Sequence, residues 1–169
     1  MDHRPIGVFD SGLGGLTAVK ELEKALPAES IIYFGDTGRV PYGSRSREIV
    51  RSYARQDMDF LMSKNVKAVL AACGTVSSTA ADIGAALPVP YFDVVAPTAK
   101  AAAAATKNGK IGVIGTSATI HSDSYRKALL ALDYSLEVYP QACPLFVPLV
   151  ENAFISPQDE VTRLVAERY

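Results

Sequence analysis

Short apolar segments alternate along the chain with segments whose apolar residues recur at helical spacing. Six segments are rich in β-branched and aromatic residues and end in Gly, Asp, Pro or a small polar residue, as buried strands do. They cover residues 5–9, 30–34, 66–72, 89–94, 109–115 and 134–140. The pattern therefore predicts six strands.

Amphipathic segments connect these strands and predict helices. Val19, Leu22 and Leu26 share one helical face after the first strand. A second face, after the second strand, is formed by Ile49, Val50, Tyr53, Ala54 and Leu61. Alternating strands and helices predict an α/β fold with mostly parallel sheets flanked by helices, in which the loops after the strands cluster at one edge.

The second half of the chain repeats the scheme of the first. The alanine-rich segment 101–107 predicts a helix, and a strand with a Gly-Thr turn follows it. We therefore predict a first α/β domain at residues 1–93, carrying Asp10 and Cys73, and a second α/β domain at residues 94–169.

Composition narrows the classes of ligand. The chain has 169 residues, of which 49% are hydrophobic, so it can bury a core. Its 17 Lys and Arg balance 18 Asp and Glu, which argues against nucleic acid or an anionic membrane as a partner. No segment approaches the roughly 18 apolar residues of a membrane span. We expect no signal peptide, because no basic segment followed by an apolar core stands before Ile6. We expect a cytosolic protein that binds a small neutral or anionic molecule.

The cysteines and histidines are few. The two cysteines, Cys73 and Cys143, form no CxxC pair, and His3 and His121 are the only histidines. This spacing predicts neither a disulfide framework nor a metal site. Cys73 is expected to be a free thiol.

Polar loops follow four of the predicted strands, at residues 9–15, 34–43, 72–78 and 114–125. All are rich in Gly, Ser, Thr and Asp. Such loops let backbone N–H groups approach a ligand, and at helix starts they favour a carboxylate or a phosphate.

The first loop has an alternative interpretation as a dinucleotide-binding turn. Gly12 and Gly14 have GxG spacing, and Asp36 ends the next strand. However, Thr17 stands where the third glycine is expected, and Asp10 would repel a pyrophosphate. A tight turn in which Asp10 caps the helix is the simpler interpretation.

Cys73 also has two interpretations. It can be a small buried apolar residue, or a thiolate base whose pKa is lowered by the following helix N-terminus. Asp10 ends a neighbouring strand and is expected close by, where its carboxylate can tune or relay the thiol proton. Because neither histidine is suitably placed for nucleophilic catalysis, proton abstraction fits Cys73 better than acyl transfer.

Five ordered motifs, between Pro5 and Glu151, resemble those of the glutamate racemases in the cofactor-independent aspartate/glutamate racemase superfamily. They are PIGVFDSGLGGLTAVKEL, YFGDTGRVPYGSRS, ACGTVSS, IGVIGTSAT and ACPLFVPLVE. The resemblance implies two similar α/β domains and the interconversion of L- and D-glutamate by two cysteines on opposite faces of the α-carbon. It further implies a supply of D-glutamate for peptidoglycan in the bacterial cytoplasm, no pyridoxal phosphate or metal, and a homodimer in many members.

The resemblance also implies roles for individual residues. Cys73 matches the first catalytic base, Asp10 the carboxylate that assists it, and Glu151 an acid that assists on the opposite side. The positions that match substrate-binding residues are Ser11, Pro41, Tyr42, Gly43, Gly74, Thr75, Thr116 and Thr119. Gly74 differs, because the family usually has Asn there.

The second catalytic cysteine of the family belongs to a Gly-Cys-Thr-His motif that the 169 residues do not contain. Cys143 is not its equivalent, because the family has a cysteine there in addition to the catalytic pair. We therefore expect the chain to be a truncated racemase, lacking the C-terminal return to the first domain, with strongly impaired racemisation.

Two other interpretations stay open. The chain can be a non-catalytic module that binds an acidic amino acid, or an aspartate racemase, because no residue by itself measures the length of the substrate side chain. Four arginines, Arg45, Arg47, Arg51 and Arg55, can form a stripe that contacts an anionic partner. The simpler interpretation is a solvated helix face interleaved with Glu48, Asp57 and Asp59.

Overall fold

A computed structural model describes residues 2–169. The strands are β1 (Ile6–Asp10), β2 (Ile31–Gly35), β3 (Ala68–Ala71), β4 (Tyr91–Asp93), β5 (Lys110–Gly115) and β6 (Glu137–Ala142). The helices are α1 (Leu16–Ala25), α2 (Arg47–Ser63), α3 (Gly74–Thr79), α4 (Ala81–Ala85), α5 (Val95–Ala105), α6 (Ser117–Ser122), α7 (Ser124–Leu132), α8 (Phe146–Glu151) and α9 (Glu160–Arg168).

All strand pairs are parallel, which confirms the predicted α/β class. Four strands form a sheet in the order β2-β1-β3-β4, and β5 pairs with β6 in a second sheet. The register of β1 sets Asp10 opposite Gly35 and Phe9 opposite Ala71. The chain therefore leaves β1, β2 and β3 at the same edge. Along the chain, the strands of the four-stranded sheet all precede residues 94–97, and the strands of the second sheet follow them. The division into domains 1–93 and 94–169 stays a prediction.

The last strand differs from its prediction at both ends. Residues 134–140 were expected, whereas β6 runs from Glu137 to Ala142. The carboxylate of Asp133 accepts the backbone N–H of Ser135 at 2.8 Å and so holds a turn. Tyr134 in that turn is 91% exposed. An aromatic residue in this position resembles the start of a strand in sequence although its side chain faces solvent.

The main core lies between α2 and the four-stranded sheet. Val50, Ala54, Met58 and Leu61 of α2 are fully or almost fully buried together with Phe9 of β1. A smaller core joins α5, α7 and β5. Burial of these side chains is the principal stabilising term for both sheets.

Asp57 lies in this apolar face of α2 and is 1% exposed. The expectation that it belongs to a solvated face was therefore wrong. Position 57 follows Val50 and Ala54 at helical spacing, so its side chain points towards the sheet.

The arginine stripe on α2 has an internal partner. Arg51 Nη1 and Nη2 donate to the two carboxylate oxygens of Asp82 at 2.5 and 2.7 Å, and Nη1 also donates to the Thr79 carbonyl at 3.1 Å. Arg51 thereby joins α2 to the end of α3 and the start of α4.

Among residues 2–169, no helix combines the length and the apolar character that crossing a membrane requires.

Gly84 in α4 allows close packing of Tyr91. A Cβ atom at position 84 would lie 2.2 Å from Cε2 of the Tyr91 ring. We expect Gly84→Ala to lower the free energy of unfolding by about 1–3 kcal/mol, because overpacking outweighs the gain in helix propensity. Urea denaturation measures this change. A Cβ at Gly38 meets no atom within 4 Å, so Gly38→Ala is the matched control and should change stability by less than about 0.5 kcal/mol. Equal effects of the two variants would contradict the packing argument.

Candidate active site

A cleft of about 1040 Å³ opens at the edge where the loops after β1, β2, β3 and β5 meet. The sequence predicted this clustering from the alternation of strands and helices. Every candidate residue lines the cleft: Asp10, Ser11, Pro41, Tyr42, Gly43, Cys73, Gly74, Thr75, Thr116, Thr119 and Glu151. Their roles stay predictions, whereas their convergence is a property of the fold.

Cys73 stands between β3 and α3. Its backbone is extended, and its carbonyl accepts the N–H of Ser77 at 2.9 Å, as the residue before a helix does. The residue is only 4% exposed. Its Sγ donates to Ser11 Oγ at 3.6 Å.

The pKa of the Cys73 thiol is raised from 9.0 to about 11, chiefly by burial and secondly by the nearby Asp10 carboxylate. The backbone N–H of Val76 and donors of Ser11 oppose this shift but do not overcome it. The start of α3 thus acts in the expected direction through the Val76 N–H, but the expected net lowering of the Cys73 pKa was wrong, because loss of water disfavours the thiolate more strongly. In the ligand-free protein Cys73 is a neutral thiol at neutral pH.

Asp10 organises the loop after β1. Its Oδ2 accepts the N–H of Gly15 at 2.9 Å, and its Oδ1 accepts the Ser11 hydroxyl at 3.4 Å. Asp10 is not the N-cap of α1, which is Gly15, but its buried carboxylate binds the Gly15 N–H and lies close to Cys73, as the sequence suggested. The thiol, the Ser11 hydroxyl and the Asp10 carboxylate form a continuous hydrogen-bonded path.

Three threonine hydroxyls form the opposite polar wall. Thr75 Oγ1 lies 3.0 Å from Thr116 Oγ1, which in turn lies 3.0 Å from Thr119 Oγ1. Thr116 also caps α6 by accepting the N–H of Thr119 at 3.2 Å. These hydroxyls connect the start of α3 with the start of α6. A ligand between them therefore meets hydroxyl groups from the segments that follow β3 and β5.

Residues 40–43 pass along the cleft and contact α6. The Gly43 carbonyl accepts the N–H of Ala118 at 3.1 Å. A Cβ at Gly43 would lie 2.4 Å from the Thr116 side chain, so only glycine allows this approach. The Tyr42 side chain is 1% exposed, and its hydroxyl contacts Asp36 and Asp57 behind the loop.

Gly74 and Glu151 occupy the rim of the cleft. A Cβ at Gly74 meets no atom within 4 Å, so the site has room for a larger side chain. Glu151 is exposed at the end of α8, and its Oε1 lies 3.2 Å from the place of a Cβ at Gly12. The carboxylate therefore stands next to the loop that holds Ser11.

The structure argues against the dinucleotide interpretation. The Asp36 carboxylate accepts Arg39 Nε at 2.5 Å and the Tyr42 hydroxyl, so it is not available to a ribose. A Cβ at Gly35 would lie 2.4 Å from the Gly12 carbonyl, which shows how closely the two loops pack. Within residues 2–169, no group of three or more His, Cys, Asp or Glu side chains is arranged as a metal site.

Sequence reasoning missed the residues that support the loop from behind, namely Arg39 and Asp57. Arg39 donates to Asp36 and Asp57, and its guanidinium lies 4.3 Å from the centre of the Tyr53 ring. One signal was present: a carboxylate at a helical position otherwise occupied by apolar residues is seldom buried without a partner.

Comparison with known proteins identifies relatives of the chain. The family model Asp/Glu/Hydantoin racemase matches residues 6–169. A glutamate racemase of Chlorobaculum tepidum is 53% identical over 167 residues, which are 98% of this chain and 61% of the relative. A glutamate racemase of Geobacter metallireducens is 46% identical and is covered to 62% of its length by the whole chain.

The fold has matching solved structures. The glutamate racemase of Francisella tularensis in complex with D-glutamate has a TM-score of 0.92 and 43% identity, with 100% of this chain and 63% of that chain covered. The chain thus spans about three fifths of the length of the relatives it matches. The extent of the family match, together with the close sequence relatives, shows that the chain belongs to the Asp/Glu/Hydantoin racemase family.

Proposed function

We propose that the chain carries the Cys73 side of a glutamate racemase, an enzyme that interconverts L- and D-glutamate by two-base proton transfer at the α-carbon. The observation that carries the proposal is the path from the Cys73 thiol through Ser11 to the buried Asp10, beside a wall of threonine hydroxyls. The names of the similar proteins and the D-glutamate bound to the Francisella tularensis relative support glutamate as the substrate.

The hydrogen-bonded path gives the thiol a route to its reactive form. The thiol proton passes to Ser11 Oγ while the Ser11 proton passes to Asp10 Oδ1, which leaves a thiolate and a neutral carboxylic acid. This transfer also removes the Asp10 charge, which is one of the two causes of the raised pKa of Cys73. The thiolate then takes the α-proton, and hydroxyl donors hold the substrate carboxylates.

The other half of the reaction needs an acid on the far face of the α-carbon. Glu151 lies at the rim near Gly12 and assists on that side in our proposal. The family resemblance assigns the second thiol to a motif outside the 169 residues, so we propose that these residues alone racemise glutamate only slowly. In the cell, the activity would supply D-glutamate for peptidoglycan in the bacterial cytoplasm.

Exchange in deuterated water tests this proposal. The chain is incubated with L- or D-glutamate, and α-deuterium and the opposite enantiomer are measured separately. We expect deuterium in the recovered enantiomer to accumulate faster than the opposite enantiomer, because Cys73 can return a deuteron only to the face from which it took the proton. Cys73→Ala should abolish exchange and retain glutamate binding in calorimetry.

The Francisella tularensis enzyme serves as the reference for this experiment. Racemisation by the 169 residues at the rate of that enzyme would contradict the proposed impairment. Glutamate binding without any exchange by the parent chain would instead identify a binding module, and exchange that survives in Cys73→Ala would exclude Cys73 as the base.

The protonation state of Cys73 gives a second prediction. Its pKa rises from the ordinary 9.0 to about 11 in the folded protein. The neutral thiol therefore stabilises the fold fully below about pH 9, and this contribution is lost as the pH rises towards 11. Thiolate absorbance of the parent minus that of Cys73→Ser should show a midpoint well above 9. A midpoint below 8 in the ligand-free chain would contradict the effect of burial.

Gly74 gives a third prediction. A Cβ at this position meets no atom within 4 Å, and we expect an Asn side chain there to place its amide where it can donate to a substrate carboxylate. A hydrogen bond to a charged group contributes about 1.5–3 kcal/mol, so Gly74→Asn should tighten glutamate binding by about 10- to 100-fold. Calorimetry measures the change. Gly74→Ala fits equally well but has no donor, so it serves as the control, and an equal gain in both variants would exclude the amide as the cause.

A further inference from the structure

The Tyr42 phenol lies between two buried carboxyl groups on the side of the loop that faces away from the cleft. Its hydroxyl is 2.8 Å from Asp57 Oδ2 and also makes a hydrogen bond with Asp36 Oδ2. The Asp57 side chain has no exposed surface, and that of Asp36 is 10% exposed. Water is therefore largely excluded from this cluster.

A phenol has one proton and can donate to only one of the two carboxyl groups. If Tyr42 donates to Asp36, its oxygen presents a lone pair to Asp57, and this contact is favourable only when Asp57 donates. Two ionised carboxylates would leave two oxygens facing each other across the cluster without a shared proton, which is costly away from water.

The charges of the cluster favour the same arrangement. Within residues 2–169, Arg39 is the only cation that faces Asp57, with Nη2 2.9 Å from Asp57 Oδ1, and it also binds Asp36. One cation balances one carboxylate. An additional proton on the other carboxyl makes the buried cluster neutral.

We propose that Asp57 is a positioning residue for the proposed racemase: it donates a proton to Tyr42, which donates to Asp36, and the cluster so fixes residues 40–43 against the cleft. Asp57 does not touch the substrate. It acts through Tyr42 and the adjacent Gly43, whose carbonyl binds Ala118 on α6.

The pKa of Asp57 is shifted in the direction that a protonated Asp57 requires. The pKa of Asp57 is raised from 3.8 to about 6, chiefly by burial and also by Asp36, while Tyr42 and Arg39 oppose the rise. Because folding raises the pKa of Asp57, the contribution of protonated Asp57 to the stability of the fold is complete below about pH 3.8 and is lost as the pH rises through 6. The loop should therefore be held more firmly at pH 5 than at pH 8.

The charged and titratable groups that face Asp57 are Asp36, Arg39 and Tyr42, and Tyr53 packs against both Arg39 and Tyr42. An asparagine at position 57 reproduces the proposed protonated state. Its amide donates to Tyr42, and its oxygen accepts from Arg39. The substitution Asp57→Asn therefore distinguishes two states of Asp57: a neutral acid, which Asn replaces without loss, and an ionised carboxylate paired with Arg39, which Asn does not replace.

The first experiment measures glutamate affinity between about pH 5 and pH 8, a range in which the two substrate carboxylates are predominantly ionised. We expect the parent chain to lose more than about threefold in affinity over this range, since the fraction with an ordered loop falls. Asp57→Asn should bind at pH 8 as the parent does at pH 5 and lose this pH dependence. Asp59→Asn, an exposed change on the same helix, should retain it. Every group other than residues 57 and 59 is the same in all three proteins, so its effect cancels in the comparison.

The second experiment needs no substrate. Carbon-13 labelling of the Asp carboxyl groups, with the Asp57 signal identified by its loss in Asp57→Asn, should give a midpoint near 6, and the amide signal of Gly43 should shift with the same midpoint. A midpoint below about 4.5, or marked destabilisation of Asp57→Asn at pH 5, would show an ionised Asp57 and overturn the proposal. No glutamate binding at any pH would count against the proposed function, whereas coupled titration of Asp57 and Gly43 would still support the positioning role.

Discussion

The parallel pairing of β1 with both β2 and β3 is the constraint on which the site depends. With Phe9 opposite Ala71 and Asp10 opposite Gly35, three loops leave the sheet at the same height. Ser11 then reaches Cys73 although 62 positions separate them. A change of register by one residue would turn alternate side chains to the other face and separate the thiol from the carboxylate.

The burial of side chains around the cleft also determines which protonation states its acidic groups favour. Removal of water raises the pKa of Cys73 and that of Asp57, so both groups favour the neutral form more than they do in water. Cys73 consequently needs a partner that accepts its proton, and Asp10 is connected to it through Ser11. Asp57 is instead bonded to Tyr42 and Arg39 behind the loop, away from the cleft, which suits a residue that holds a loop rather than one that reacts.

Hydrogen bonds between segments that follow the strands of the two different sheets complete the cleft. Thr75 meets Thr116, and Gly43 meets Ala118, so the loops after β2 and β3 are joined to the start of α6. A ligand held by these groups touches both parts of the chain. The loop 40–43 is supported from both sides, by α6 in front and by the buried carboxyl cluster behind.

The sequence by itself determined the fold class, the approximate strands and the clustering of the loops that follow them, because hydrophobic periodicity and the rules of parallel sheets are local or topological. It placed Cys73 near Asp10 for the same reason. Most of the individual candidate residues came from the family resemblance. Only the tertiary structure decided the protonation of Cys73, the burial of Asp57 and the direction of the Tyr42 hydroxyl. These depend on how much water is excluded and which charges meet, and both are set by residues far apart in the chain.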